Sequence, residues 1–229
     1  MPKEINIISL VLPFRLGSVN CYLIKNDADY ILIDTGPSNR RSDLEKELGS
    51  RGCKPGNLKI VVLTHGDFDH TGNAAYLREK FGTKIAMHYD DSGMVEHGNM
   101  FWNREKSNFL IRMIAPIFFG FGKAKRFKPD LYIKDGDDLS EYGFDAKVLD
   151  IPGHSKGSIG ILTADGDLIC GDLLENTSKP SLNSIMDDLT AAKASAKKLT
   201  RLSINKVYPG HGKPFTMGKF LKNNRQPVS

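Results

Sequence analysis

Leu58-Lys-Ile-Val-Val-Leu-Thr-His-Gly-Asp-Phe-Asp-His70 is the stretch on which the reading of this chain turns. Its first six residues are a short, β-branched apolar run, the pattern of a strand buried on both faces. The run delivers the chain into a polar loop, the kind of place where a rigid scaffold presents functional side chains. There His65 and His70 bracket Asp67 and Asp69, so four potential ligands fall within six residues. Carboxylates and imidazoles this dense call for a cation to neutralise them. Mixed oxygen and nitrogen donors suit a dinuclear metal site.

Upstream, Ile5 to Leu12, Asn20 to Lys25 and Tyr30 to Asp34 are β-rich runs separated by Gly17-Ser18 and Asn26-Asp27, and a polar helix is expected from Arg40 to Arg51. Downstream, Thr71 to Phe81 reads as a helix closed by Gly82, followed by a strand over Thr83 to Met87. Leu131 to Ile133, Ala146 to Ile151, Ser158 to Thr163, Leu168 to Cys170 and Asn205 to Tyr208 read as further strands, with a helix over Ile185 to Leu202. Three more glycine-flanked ligand candidates follow strand runs: Gly153-His154, Gly171-Asp172 and Gly210-His211-Gly212. Glycine beside a ligand lets the backbone turn sharply and keeps bulk away from a metal. The alternation of βαβ-like and hairpin-like segments implies an α/β class with mixed sheets, and with no repeat or low-complexity linker, residues 1–229 are expected to form one domain.

In this order, Asn20-Cys-Tyr-Leu23, Asp34-Thr-Gly36, His65-x-Asp67-x-Asp69-His70, Gly153-His154, Gly171-Asp172 and Gly210-His211 resemble the metallo-β-lactamase superfamily, from about residue 18 to 214. The resemblance implies a four-layer αββα sandwich of two mixed sheets with helices outside. It implies two divalent metal ions (zinc, or iron or manganese), with His65, Asp67 and His154 around the first, Asp69, His70 and His211 around the second, and Asp172 between them. It also implies a hydroxide shared by the metals as nucleophile, with Asp69 and Asp34 acting in catalysis and Asp34 orienting a histidine ligand. One departure stands out: the family usually has His where this chain has Asp67. The extra carboxylate hardens the first site toward iron or manganese, although zinc still accepts such ligands.

Bulk properties narrow the partners. Hydrophobic residues are 40% and charged residues 26% of the chain, ordinary for a soluble globular protein. A net charge of +5 from 32 basic and 27 acidic residues is too mild and too interspersed for a nucleic-acid binder. The basic clusters Lys123–Lys128 and Lys219–Arg225 are read as solvated surface. Cys21, Cys53 and Cys170 are sparse and odd in number, which fits a reducing compartment. With no signal-like N-terminus, a cytoplasmic protein is expected. Cys170 is read as a core residue, His88 and His97 as surface residues. Residues 89–130 are expected to vary as a substrate wall. Within them Phe109 to Phe121 is strongly apolar yet too short to span a membrane, and either lines the substrate, packs internally or forms a dimer interface. Monomer and homodimer both remain open.

The function expected is hydrolysis of an ester-type bond in a small molecule: a thioester, lactone or phosphoester. Glyoxalase II, which carries a helical C-terminal domain for its glutathione thioester, is disfavoured because 18 residues follow His211. The alternatives are an iron-dependent redox enzyme, suggested by Asp67, and a non-catalytic ligand-binding or sensing protein with an altered metal site.

Overall fold

The computed structural model describes residues 4–13, 17–104 and 125–224. The expected substrate-wall run Phe109–Phe121, Lys123 and Ala124, and Arg225 lie outside the described residues. The first sheet has the order β1 (Ile5–Val11), β2 (Ser18–Asn26), β3 (Asp29–Ile33), β4 (Leu58–Val62), β5 (Lys84–Met87) and β6 (Leu131–Tyr132). Its first three strands are antiparallel and β3 to β6 run parallel. The second sheet has the order β13 (Phe215–Thr216), β12 (Lys206–Tyr208), β9 (Asp167–Ile169), β8 (Ile159–Thr163) and β7 (Ala146–Asp150), with β12 and β9 the parallel pair. A small hairpin joins β10 (Leu174–Glu175) to β11 (Ser181–Leu182).

Strand alternation explains the layers. Tyr22 and Ile24, Ile31 and Ile33, and Ile60 and Val62 point one way and meet Val148, Ile159, Ile161 and Ile169 of the second sheet in a shared core. The intervening Cys21, Leu23, Leu32 and Val61 point the other way, onto Leu44 and Leu48 of α1 (Arg41–Ser50) and onto Leu77 and Phe81 of the helix Ala74–Phe81. On the far side, Leu168, Cys170 and Val207 pack against Ala192, Ala196 and Leu199 of the helix Leu189–Leu199 and Phe220 of the helix Met217–Asn223. The result is the expected αββα sandwich. A one-residue slip in β2 would exchange its two buried faces, so the register is strongly specified.

The expected helix over Thr71–Phe81 is two helices, α2 (Phe68–Thr71) and α3 (Ala74–Phe81), with Asn73 between them. Asn73 donates to the carbonyls of Thr35 (2.8 Å) and Pro37 (3.0 Å) instead of continuing the helix. A further helix, α4 (Tyr89–His97), occupies a stretch the sequence pattern left unreadable. The Ile185–Leu202 helix is shorter, α5 (Leu189–Leu199), because Asp188 caps it, accepting from the amides of Thr190 (2.8 Å) and Ala191 (3.0 Å). The segment before that cap is left free to form part of the site. Among the described residues no helix is long and apolar enough to cross a membrane.

Candidate metal centre

Each candidate ligand sits just beyond a strand: His65 after β4, His154 after β7, Asp172 after β9 and His211 after β12. Short loops from both sheets therefore converge at one edge of the sandwich. Asp67 caps the single turn of α2, and its carbonyl accepts the amides of His70 and Thr71, each at 3.0 Å. That turn brings Asp69 and His70 to the edge from a strand that would otherwise carry them past it.

Asp34 is the hub behind the ligands. Its backbone is left-handed at φ 60°, an unfavourable conformation that a short polar residue tolerates better than most. Asp34 Oδ1 accepts from the Thr64 amide, and Oδ2 accepts from the Thr64 hydroxyl and from His70 Nδ1, all at 2.8 Å. Because that hydroxyl is donated to Asp34, the Thr64 oxygen takes the Nδ1–H of His65 at 3.0 Å. His154 Nδ1 donates to the Ile185 carbonyl at 2.8 Å and His211 Nδ1 to the Ser18 carbonyl at 2.9 Å. All four histidines thus spend Nδ1 on an acceptor and turn Nε2 to the centre, the arrangement that orients metal-binding imidazoles.

The Asn20-Cys-Tyr-Leu23 run also has a structural task here. Asn20 donates to the carbonyls of Pro209 (3.0 Å) and Gly212 (2.8 Å), and the Tyr22 hydroxyl donates to that of Pro209 (2.5 Å), so β2 clamps the loop that carries His211.

Two groups of three donors form at the edge, His65, His154 and Asp172, and Asp69, His70 and His211, with the donor atoms of each group within 4.8 Å of one another. Asp172 also reaches the second group, with Oδ1 3.3 Å from His70 Nε2 and Oδ2 3.2 Å from His211 Nε2. Donors around one ion at metal–ligand distances near 2.1 Å stand roughly 3.4 Å apart, so these spacings fit. Moreover, His65 Nε2, His70 Nε2 and Asp172 Oδ1 are buried without a hydrogen-bond partner. Such orphans are costly unless something else binds them.

The electrostatics agree. Burial would lower the imidazoles of His70, His154 and His211, but the carboxylates around them outweigh it: His70 is held well above its usual range, chiefly by Asp172, His154 rises to about 9 and His211 to about 11. Burial would raise Asp172, yet His211 and His70 hold it well below the usual carboxylate range. Burial lowers His65, and its neighbours His70 and His154 lower it further. Protons on these histidines act as counter-charges that a divalent cation would displace.

Six of the seven predicted ligands are therefore gathered directly. The seventh, Asp67, lies beside them with Oδ2 3.1 Å from His154 Nε2 and 3.8 Å from His65 Nε2. Its Oδ1 is 2.9 Å from Arg104 Nη2, and Arg104 Nε is 2.7 Å from Asp187 Oδ2. These are ion-pair contacts lacking in-line hydrogen-bond geometry, since Asp67 Oδ1 and both guanidinium nitrogens have no hydrogen-bond partner. Burial would raise the Asp67 carboxyl, but Arg104, then His154, hold it well below its usual range.

Sequence reasoning missed Arg104 and Asp187, and also Asp91, which is fully buried in α4. Asp91 accepts from the Gly66 amide (3.0 Å), the Ser155 hydroxyl (2.6 Å) and the Gly157 amide (2.8 Å), tying the His65–His70 loop to the His154 loop. Two aspartates at the start of a helix following a strand were the available signal. Cys170 is a core residue as expected. His88 is half-buried and caps α4 by accepting from the Asp90 amide, and exposed His97 stacks on Trp102.

The family model described as metallo-beta-lactamase superfamily matches residues 14–211. The chain is 28% identical to the probable metallo-hydrolase YqjP of Bacillus subtilis over 97% of its own length and 76% of that protein's. It is also 28% identical to the hydroxyacylglutathione hydrolase GloC of Haemophilus influenzae, over 93% of this chain and 95% of GloC. Among solved structures it is similar to TTHA1623 in a di-iron-bound form, with a TM-score of 0.66 and 28% identity over 93% of this chain and 96% of that one.

Proposed function

The chain belongs to the metallo-β-lactamase superfamily, its relatives include a probable metallo-hydrolase and a hydroxyacylglutathione hydrolase, and from that premise we propose that it hydrolyses ester-type bonds, thioesters first, with lactones and phosphoesters as the other members of the class. The observation that carries this reading is the convergence of four Nε2 atoms and the Asp69 and Asp172 carboxylates, with His65 Nε2, His70 Nε2 and Asp172 Oδ1 left as buried orphans. His65, Asp67, His154 and Asp172 would hold one divalent ion and Asp69, His70, His211 and Asp172 a second. When bound, such ions polarise the scissile carbonyl or phosphoryl oxygen and make a water acidic enough to attack near neutral pH.

The chain's own residues supply orientation and selectivity. Asp34 and Thr64 fix the tautomers of His70 and His65, and the backbone carbonyls of Ser18 and Ile185 fix His211 and His154. Asp69 stands 3.4 Å from His211 Nε2 at the margin of the centre. A small cleft lined by Phe68, Met94, Val95, Met100 and Phe127, with Asn99 and Lys125 beside them, adjoins the Asp67–Asp69 loop.

Thioesters lead because of GloC. It aligns along 95% of its own length, so a hydroxyacylglutathione hydrolase needs no large segment beyond the matched domain. The expectation that disfavoured glutathione thioesters on that ground falls. Arg104 balances the charge of Asp67 without changing its donor type, so the redox alternative is separated from hydrolysis by whether turnover requires oxygen. The harder donor set still favours iron or manganese over zinc.

The test is a substrate panel. Protein loaded separately with iron, manganese and zinc is assayed on acylglutathione and acyl-coenzyme A thioesters, a lactone and a phosphodiester. Thioester turnover that vanishes in Asp172→Ala is the expected result. Turnover of none of them, or turnover indifferent to Asp172→Ala, would overturn the proposal.

A further inference from the structure

Arg104 is 9% exposed and its side chain lies against two carboxylates, Asp67 at 2.9 Å and Asp187 at 2.7 Å. Taking a guanidinium out of water is expensive, and a cation placed next to a cation-binding centre is a second cost. A buried guanidinium is tolerable here only because carboxylates meet it, and those contacts fix their geometry. A guanidinium is a rigid planar fork able to engage two carboxylates at once. Here one arm meets Asp67 Oδ1, leaving Oδ2 as the oxygen that faces His154 Nε2 and His65 Nε2. The other contact fastens Asp187, two residues from Ile185, whose carbonyl fixes the tautomer of His154.

We infer that Arg104 is a positioning residue of the metal centre: it pins Asp67 by one oxygen, presents the other to the ion held by His65 and His154, and anchors the segment that orients His154. This rests on the metal-centre reading proposed above. Three consequences follow from the contacts. Asp67 is restricted to donating through a single oxygen, because Oδ1 is engaged. The pair is electrically neutral, so the ion beside it keeps an acidity that a free carboxylate would blunt. Finally, residue 67 and residue 104 form one unit: a neutral donor at 67 leaves Arg104 balanced by Asp187 alone while it still faces the metal, and an apolar residue at 104 leaves Asp67 free to rotate or chelate.

The experiment is a double-mutant cycle read by zinc binding instead of turnover. Full-length protein is stripped of metal and titrated with zinc against a chromophoric chelator, giving the number of ions bound and an affinity for each. Wild type is expected to take two. Asp67→His should lose about 10- to 100-fold in affinity at one site, the range for disturbing groups around a metal. Adding Arg104→Met to Asp67→His should recover about tenfold of that loss, whereas Arg104→Met alone should give no such gain. Asp187→Asn, at a half-exposed position, should weaken the same site by about tenfold and leave the unfolding temperature of the metal-free protein unchanged.

Equal zinc affinity in Asp67→His and the double variant, or an equal gain from Arg104→Met in both backgrounds, would show that Arg104 is only a background charge. Unchanged affinity in Asp187→Asn would overturn its anchoring role even if the Arg104 variants failed to fold. Wild type binding fewer than two zinc ions would instead overturn the metal-centre reading itself.

Discussion

The two halves of the candidate centre are supported in different ways. Around Asp69, His70 and His211 the supporting groups are a strained carboxylate, Asp34, and the backbone carbonyl of Ser18, both held by the first sheet and its loops. Around His65, Asp67 and His154 the support is a buried charge network, Arg104 with Asp187, and a carboxylate in α4, Asp91. The first half is thus braced by neighbours of the strands themselves. The second is braced by side chains from the connecting segments, among them the Arg104 that meets Asp67. A ligand can change character where a compensating charge can change with it. The Asp34 side, with no such partner among the described residues, has less freedom.

The largest effects should come from removing a ligand on the Asp34 side. His70→Ala and Asp69→Ala are each expected to lower thioester kcat/KM by about 1,000-fold or more, because a bound ion supplies several kcal/mol of charge stabilisation and each 1.36 kcal/mol is a factor of ten. The loss in the double variant should fall short of the product of the single losses, since both empty the same site. Metal content measured on the same samples checks the cause. Full activity in either purified single variant would contradict the assignment.

Next in size is Gly210→Ala, which adds one methyl group and removes no ligand. A Cβ at Gly210 would overlap Asp172 Oδ1 and stand 2.7 Å from His70 Cε1. Neither atom can retreat, because His70 is pinned to Asp34 and Asp172 is buried between two histidines. Misplacing a reacting group by about 1 Å costs on the order of 100-fold, so activity should fall by about that factor with the fold retained. Circular dichroism and kinetics together check this, and a variant of normal activity would mean that the loop relaxes more freely than its clamp by Asn20 and Tyr22 implies.

How much of this was legible beforehand follows the same division only behind the ligands. The ligands of both halves, His65, Asp67, Asp69, His70, His154, Asp172 and His211, together with Asp34, lie in short local strings at the ends of apolar runs and could be picked out by eye, whereas the charge network behind the second half could not. The sandwich was legible too, because doubly buried strands such as Leu58–Val62 are near-continuous apolar runs. Arg104 and Asp187 were not legible. Each is an ordinary charged residue in a polar context, and only tertiary folding brings them to Asp67. Asp188 hid the rest: its side chain competes for the first amides of α5, so the helix begins at Leu189 although the residues before it have acceptable helical character. Those freed residues carry Ile185 and Asp187 into the site. The two-part helix at 68–81 was missed for a related reason, since Asn73 satisfies loop carbonyls that no local pattern reveals.

Asp34→Asn should be milder than Gly210→Ala. Asparagine tolerates the left-handed backbone at this position nearly as well as aspartate, so the turn is kept. The amide has one acceptor oxygen where the carboxylate has two, and three donors compete for it: the Thr64 amide, the Thr64 hydroxyl and His70 Nδ1. One imidazole therefore loses its orientation, and metal affinity should drop by about 10- to 100-fold at one site, as measured by chelator competition. An unchanged affinity would mean that His70 is oriented by packing alone, and the two halves would then differ less than their contacts imply.

The smallest effect on the metal should come from Asp91→Asn, and its readout is stability. Asp91 is fully buried and holds three donors between the His65–His70 loop and the His154 loop. Burial raises its carboxyl, and the three donors only partly offset this, so the charge is held at some cost and an uncharged amide gives some of that cost back. The amide also places an N–H group against a donor, leaving one group unsatisfied at about 1–3 kcal/mol. The net result should be a destabilisation near the lower end of that range, seen as a lower unfolding temperature of the metal-free protein. Zinc affinity should change by less than about tenfold, since neither ligand loop loses a direct partner of its imidazoles. If Asp91→Asn instead emptied a metal site without lowering the unfolding temperature, α4 would have to be counted with Arg104 as part of the machinery that aims the ligands, and the division between the two halves would be sharper still.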